Sequence, residues 1–235
     1  MAELPGLYST PVNWNKVLLF YESALAEVLT RINVISKEYK LTNRTSPIEH
    51  ISSRIKSADS IIRKLNINGY DPTLENVVKH VNDVAGIRIV CSFTSDIFDI
   101  AAYIMHQEDF KVLKVKDYIS NPKDNGYMSY HMIVSVPVHL SEQTMYTKVE
   151  IQIRTSAMDF WASLEHKIYY KFDKQVPDHI IRELKECADI TAFLDRKMLA
   201  LNEEITNYKD KSAMNSEIVE EVETLTEYIG VVLDE

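Results

Sequence analysis

The run Val149-Glu150-Ile151-Gln152-Ile153-Arg154-Thr155 alternates apolar and polar residues strictly, as the side chains of a β-strand alternate between two faces. Val149, Ile151 and Ile153 then enter a core, while Glu150, Gln152 and Arg154 share the opposite face: a carboxylate, an amide and a guanidinium side by side. Any half-exposed strand of a soluble sheet has this pattern, so the stretch alone assigns no role. Two neighbouring stretches narrow the reading. Gly126-Tyr127-Met128-Ser129-Tyr130-His131 leads into Met132 to Val136, and its alternation predicts a strand over Tyr127 to Val136. Tyr127, Ser129 and His131 share one face of it; Tyr130, Met132 and Val134 share the other. Asp83 to Cys91 reads as an acidic turn entering a strand, with Ile87, Ile89 and Cys91 on one face and Gly86 and Arg88 on the other. A glycine inside a strand marks either a bulge or the close approach of a ligand or another backbone. Three strands thus pool Asp83, Arg88, Tyr127, Ser129, His131, Glu150, Gln152 and Arg154 on one surface, an inventory able to hold a metal ion and a nucleotide.

A chain of 235 residues can bury a full core, as one large domain or one domain with a helical extension. No run approaches the roughly 18 apolar residues that span a bilayer. Met1 to Pro11 lacks the basic start and apolar stretch of a secretory signal, so a soluble cytoplasmic protein is expected. Cys91 and Cys187 lie far apart, with no Cys-x-x-Cys spacing, and read as small buried residues rather than a disulfide or a zinc site. The net charge of −9 belongs to the last quarter of the chain: Asp178 to Glu235 holds 15 acidic and 6 basic residues, which leaves the remainder neutral. An acidic chain with no basic stripe argues against stable nucleic-acid binding, although local cation clusters can still meet phosphate.

Apolar residues recur every three or four positions from Asn13 to Tyr39, which predicts a long amphipathic helix. After Ser46-Pro47 and a short run from Ile48 to Lys56, helices are expected from Ser57 to Leu65 and from Thr73 to His80. The centre alternates: strand Ala85 to Phe93, helix Ser95 to His106, strand Phe110 to Tyr118, loop Ile119 to Asn125, strand Tyr127 to Val136. A hairpin around Leu140 to Thr144 then returns into a strand from Tyr146 to Thr155. A hairpin needs antiparallel neighbours, so the sheet should be mixed. From Ser156 the chain is helical, with pauses expected near Pro177 and over Asp210 to Asn215. Phe193, Met198, Leu201 and Ile205, then Ile218, Val222, Leu225 and Ile229, form apolar stripes that either pack back on the sheet or meet another copy.

Asp83 and Glu150 are hard oxygen ligands without a neighbouring Cys or His, and two carboxylates with substrate phosphates and water are a usual way to hold Mg²⁺. Such a site suits phosphoryl-type transfer, in which the protein positions reactants and neutralises charge. Arg54, Lys56, Arg63, Lys64, Arg88, Lys116, Lys123 and Arg154 can supply cations. There is no Gly-x-x-x-x-Gly-Lys-Ser/Thr loop, so side chains rather than a glycine-rich backbone would bind the phosphates. Tyr127 is placed to stack on a base, or simply to pack. His131 reads as a phosphate or ribose contact or as a satisfied strand histidine, and His166, on a helix, reads as structural.

In this order and spacing, Asp83-Val-Ala-Gly-Ile-Arg-Ile, Gly126-Tyr-Met-Ser-Tyr-His and Glu150-Ile-Gln-Ile-Arg-Thr, with Phe160-Trp161 and Glu165-His166 beyond, resemble the synthetase domain of the RelA/SpoT family. The short chain with its helical tail is similar to the small alarmone synthetases of bacteria. The resemblance implies a nucleotidyltransferase-like α/β fold, a mixed sheet flanked by helices. It divides the chain into an N-terminal helix (1–45), a synthetase domain (46–175) and a C-terminal helical extension (176–235) that assembles a homotetramer. The implied reaction moves the β,γ-pyrophosphate of ATP to the 3′-hydroxyl of GDP or GTP, giving ppGpp or pppGpp and AMP. By the same resemblance Asp83 and Glu150 hold Mg²⁺, and Glu150 also activates the hydroxyl. Arg54 and Arg88 sandwich the adenine; Lys56, Ser60 and Lys64 meet the ATP phosphates. Tyr127 stacks on guanine, Lys116, Lys123, Asn125, His131 and Gln152 line the acceptor site, and Asp159 accepts from the guanine edge.

Two departures stand out. Relatives often carry Arg or Lys where this chain has Met128, which leaves the choice between GDP and GTP open. The long bifunctional relatives carry a hydrolase domain with a His-Asp dyad, and no His-Asp dipeptide occurs here, so synthesis without hydrolysis is expected. The competing readings are a nucleotidyltransferase that passes AMP to another acceptor and a non-catalytic nucleotide sensor.

Overall fold

The structure, a computed structural model, describes residues 14–43, 46–171 and 176–233, with side chains of the last helix described as far as Tyr208. The segment Met1 to Pro11, the boundary residues 45 and 175, and the stripe from Ile218 to Ile229 lie outside the described residues or side chains.

Five strands form one mixed sheet in the order β1-β2-β5-β4-β3: β1 Ile48–Ile55, β2 Ala85–Cys91, β3 Lys111–Asp117, β4 Tyr130–His139 and β5 Thr144–Thr155. β2 and β5 run parallel, and every other neighbouring pair is antiparallel. The hairpin between β4 and β5 closes as expected, with the Leu140 N–H donating to the Gln143 carbonyl at 2.9 Å.

Helix α1, Trp14–Asn43, covers one face of the sheet. Val17, Tyr21, Ala24, Val28, Ile32 and Ile35 share one buried cluster with Met132, Val134, Val149, Ile151 and Ile153. Helix α4, Thr94–Met105, adds Ile97, Ile100, Ala101 and Ile104 to the same core. Each fully buried branched side chain of this kind contributes about 2 kcal/mol, so the apolar half of each alternating strand decides which way the sheet faces. Helices α2, Ala58–Ile67, and α3, Leu74–His80, link β1 to β2. Ser57 and Thr73 cap them by accepting from the N–H groups of Ser60 and Asn76 at 3.4 and 3.2 Å. Helix α5, Ser156–Lys171, follows β5 directly, and α6, Asp178–Leu233, packs against α5 and α4.

Several elements differ from the sequence expectation. The run from Ile48 is an edge strand whose half-buried positions follow no period of two, so alternation could not reveal it. β4 begins at Tyr130, leaving Tyr127 to Ser129 as an extended approach. α6 continues through Asp210 to Asn215, because that stretch is polar but has neither Pro nor Gly. Cys91 is buried, and burial pushes its thiol pKa up, whereas Cys187 is exposed on α6.

The register lines up the polar face in rungs. One reads Ser52, Arg88, Gln152, His131, Lys116 across all five strands; the next reads Arg54, Gly86, Glu150, Ile133. Gly86 pairs regularly, so it is not a bulge, and the Arg54 side chain lies against it, 3.8 Å from where a Cβ would stand.

Candidate active site

Asp83 sits in the turn between α3 and β2. Lys64 Nζ donates to its Oδ1 at 2.7 Å, and Lys56 Nζ pairs with its Oδ2. Burial raises the Asp83 pKa, but the hydrogen bonds and charges of the two lysines outweigh that and hold it below the usual carboxylate range. Lys64 reaches inward because Ile61 and Leu65 anchor its helix to the core. Ser60 lies at the start of α2 beside Ser57, and Arg63 is exposed, donating to Ser60 Oγ at 3.4 Å.

Beside them a cavity of about 200 Å³ is lined by Ser52, Ser53, Arg54, Gly86, Ile87, Arg88, Glu150 and Gln152. Arg88 Nη1 meets Asp159 Oδ1 at 3.3 Å, while its buried Nε has no partner among the described residues. An unpaired N–H donor of this kind is costly to bury and is satisfied when an acceptor arrives.

Arg154 does not line the cavity with Arg54 and Arg88. It is 4% exposed. Its Nε donates to Ser129 Oγ at 3.3 Å, Nη1 to Asp159 Oδ1 at 3.2 Å, and Nη2 to Tyr127 Oη at 2.6 Å and Gln152 Oε1 at 2.9 Å. Ser129 is likewise fully buried, its Oγ also donating to the Ile153 carbonyl, so neither residue lines the open surface expected of it. Arg154 instead ties together the residues that do. Gln152 passes the tie onward, its Nε2 donating to Glu150 Oε2 at 3.0 Å.

On the far side of Glu150 lies an aromatic and cationic cluster. Tyr127, Tyr118 and His131 meet edge to face, with ring centroids 5.3 to 6.0 Å apart. Lys123 Nζ lies 4.8 Å from the Tyr127 ring centre and 4.9 Å from that of Tyr118, and Lys116 Nζ lies 5.9 Å from the latter. Tyr127 Oη, which accepts from Arg154, also hydrogen-bonds His131 Nε2 at 2.9 Å, and the other ring nitrogen, Nδ1, lies 3.9 Å from Glu150 Oε1. Burial, with Arg154, Lys123 and Lys116 nearby, lowers the His131 pKa to about 4. His131 is thus neutral near pH 7, and its approach to Glu150 is not an ion pair.

Asn125 shapes the loop before Tyr127: its Oδ1 accepts from the Tyr127 N–H and its Nδ2 donates to Glu165 Oε1 at 3.0 Å. Gly126 adopts φ +86°, and a Cβ there would stand 2.4 Å from Ala188 Cβ on α6. Met128 packs against the main core.

The structure therefore brings Arg54, Arg88, Glu150 and Gln152 around one cavity, and Lys56 and Lys64 onto Asp83. It gathers Lys116, Lys123, Tyr127 and His131 into one cluster, with Asn125 behind Tyr127 and Asp159 held between two arginines. Ser52, Ser53, Tyr118 and Glu165 were not picked out as contributors; Tyr118, directly after Lys116-Asp117, offered the clearest signal. His166 is exposed on α5. Among the described residues no three His, Cys, Asp or Glu side chains converge on a metal position. A cation bound here would take two carboxylates and complete its shell with phosphate oxygens and water, a donor set that fits Mg²⁺.

Residues 53–175 match the profile described as the region found in RelA/SpoT proteins. The chain is 49% identical over 205 residues to GTP pyrophosphokinase YwaC of Bacillus subtilis, spanning 87% of this chain and 98% of that protein. The chain belongs to the RelA/SpoT family. Its fold superposes on the crystal structure of small alarmone synthetase 2 of B. subtilis, with a TM-score of 0.75, 48% identity, and coverage of 82% of this chain and 100% of the other. Small alarmone synthetase 1 of the same species, solved bound to its product pppGpp, gives a TM-score of 0.75 at 32% identity, over 82% of this chain and 97% of the other. The RelA/SpoT region thus runs from within β1 to just beyond α5 and contains, apart from Ser52 at its edge, the residues of the two clusters around Glu150. No helix among the described residues of this family member is long and apolar enough to cross a membrane.

Proposed function

We propose that this protein synthesises (p)ppGpp, transferring the β,γ-pyrophosphate of ATP to the 3′-hydroxyl of GDP or GTP and releasing AMP. The observation that carries this reading is one carboxylate, Glu150, with a different cation-lined subsite on each side. Arg54, Arg88 and the lysines on Asp83 flank it on one side; Tyr127, His131, Lys116 and Lys123 flank it on the other. Two nucleotides on the two sides would meet at Glu150.

ATP takes the first side, its adenine between Arg54 and Arg88 and its phosphates toward Lys56, Ser60 and Lys64. The orphan Nε of Arg88 supports this as a donor awaiting an acceptor. The acceptor guanine stacks on Tyr127, with Lys116, Lys123, Asn125, His131, Gln152 and Asp159 around it. Glu150 takes the proton of the 3′-hydroxyl, the oxygen bonds to the β-phosphorus, and the bond from that phosphorus to the α,β-bridging oxygen breaks, so that AMP leaves with the electron pair. Neutral His131, 3.9 Å from Glu150, forms no ion pair with that carboxylate and leaves it free to act as base. Asp83 and Glu150 would hold Mg²⁺, which would neutralise the charge of the transferring group.

Exposed Ile190, Phe193, Leu194, Met198, Leu201 and Ile205 on α6 support assembly with further copies of the chain, and we propose that the assembly is a homotetramer, as the family resemblance implies. Its substrates being cytoplasmic nucleotides, we place the enzyme in the cytoplasm.

The test is incubation with γ-labelled ATP, Mg²⁺ and GDP or GTP, followed by thin-layer separation. Label in a guanosine tetra- or pentaphosphate with stoichiometric AMP, and none with Glu150→Gln, is expected. Pyrophosphate release would instead indicate AMP transfer. No transfer from a folded protein that binds ATP would leave the sensor.

A further inference from the structure

Lys148 lies on β5 two residues before Glu150, so both side chains rise from the same face of the sheet. It is half-buried, and its Nζ donates to Asn82 Oδ1 at 3.0 Å and to the Lys79 carbonyl at 3.4 Å. Both acceptors are neutral oxygens. Lys79 lies in the last turn of α3, where a cation also meets the negative end of the helix. Asn82 immediately precedes Asp83, and the flanking Val81 and Val84 are buried, so the short connection from α3 to β2 holds these two half-buried polar residues between two apolar anchors.

The position of that connection matters because the parallel ladder between β2 and β5 begins only at Ala85 and Val149. Asp83 lies beyond its first rung. From the β1 side the connection is held by the Lys56 N–H, which donates to the Val84 carbonyl at 2.8 Å, and by the Lys56 and Lys64 side chains on Asp83 itself. From the β5 side it is held by Lys148 through Asn82. The two side-chain ties behave differently when substrate arrives. Lys56 and Lys64 occupy the Asp83 oxygens and must release them if phosphates draw the lysines away, whereas Lys148 uses none of those oxygens.

We propose that Lys148 is a positioning residue, which ties the connection carrying Asp83 to the strand carrying Glu150 and so sets the spacing of the two carboxylates without touching nucleotide or metal. The proposal rests on the reading of Asp83 and Glu150 as the pair that holds the divalent ion.

Mn²⁺ binding, followed by electron paramagnetic resonance in the presence of a methylene-bridged ATP analogue, tests it. Lys148→Met should weaken Mn²⁺ binding about ten-fold, at the low end of the loss expected when a supporting partner of a metal ligand is removed. Asn82→Ala should weaken it equally, the double variant should be no worse than either single one, and Lys148→Arg should recover part of the loss. Affinity for the analogue without metal should not change. Folded Lys148→Met or Asn82→Ala with wild-type Mn²⁺ affinity would overturn the proposal, and so would additive losses in the double variant. Asp83→Asn and Glu150→Gln measured alongside separate the two levels. If these also keep Mn²⁺ affinity, the carboxylate reading falls and the proposal with it; if they lose it while Lys148→Met does not, only the positioning role fails.

Discussion

Arg154 shows how one buried side chain organises an open site. Its guanidinium donates to a serine, a carboxylate, a phenol and an amide, a spread that the single ammonium of lysine cannot reproduce. Arg154→Lys should therefore weaken acceptor binding through Tyr127, and Arg154→Met should cost about 3 kcal/mol in denaturant unfolding, as expected when a buried charged network loses its partner. His131 gives a pH signature. Its pKa falls from an ordinary 6.5 to about 4 in the folded protein, so the unfolded chain binds the proton more readily. The stability from keeping it neutral is full above pH 6.5, declines as pH falls through that value, and is gone below about 4. By pH 5 the loss amounts to about 2 kcal/mol. Denaturation at pH 7.5 and pH 5 should show that difference in the wild type and a smaller one in His131→Gln. Which residues alternate toward the site was legible from spacing, and Glu150, Gln152, Arg88 and His131 all lie on the predicted face. That Ser129 and Arg154 are covered was not, because alternation assigns a face without saying what packs over it.

At the scale of elements, the approach to β4 is held by helices that follow it in sequence by many residues. Trp161 Nε1 donates to the Leu184 carbonyl at 2.9 Å, and Trp161, Ala162 and Ala188 form a small buried cluster against which Tyr127 packs. Gly126 fits there because it has no Cβ and can hold a positive φ. Gly126→Ala should cost at least about 1 kcal/mol from backbone handedness alone, before the clash with Ala188. Steady-state kinetics should show the KM for GDP or GTP rising while that for ATP holds. Helix and strand types were legible wherever the period was long and regular, as in α1, β2 and β5. The edge strand β1 was not, since an edge strand anchored only by Ile48, Ile51 and Ile55 buries too little to impose alternation.

For the whole molecule, the two long helices take different places, and only the stripe of α6 was left open between the sheet and another copy. α1 packs on the sheet, while α6 buries Leu184, Ala188 and Asp195 near its start and then exposes its stripe. The buried Asp195 is retained because Thr155 Oγ1 donates to it at the end of β5. Phe193→Glu combined with Met198→Glu should shift the protein to smaller species in size-exclusion chromatography with light scattering, leaving the unfolding of the sheet domain nearly unchanged. Unchanged mass would remove α6 from the assembly.

The sequence alone determined the polar and apolar faces of the central strands, the mixed character of the sheet and the order of motifs that marks the family, because these follow from period-two alternation, hairpin geometry and local spacing. The tertiary structure decided that Lys56 and Lys64 meet on Asp83, that Arg154 is a buried hub, and that α6 backs the loop bearing Tyr127. The deciding contacts, Lys64 on Asp83, Arg154 on Tyr127 and Ala188 against Gly126, join residues 19 to 62 positions apart, and only the packing of helices around a twisted sheet brings such distant side chains within a few ångströms.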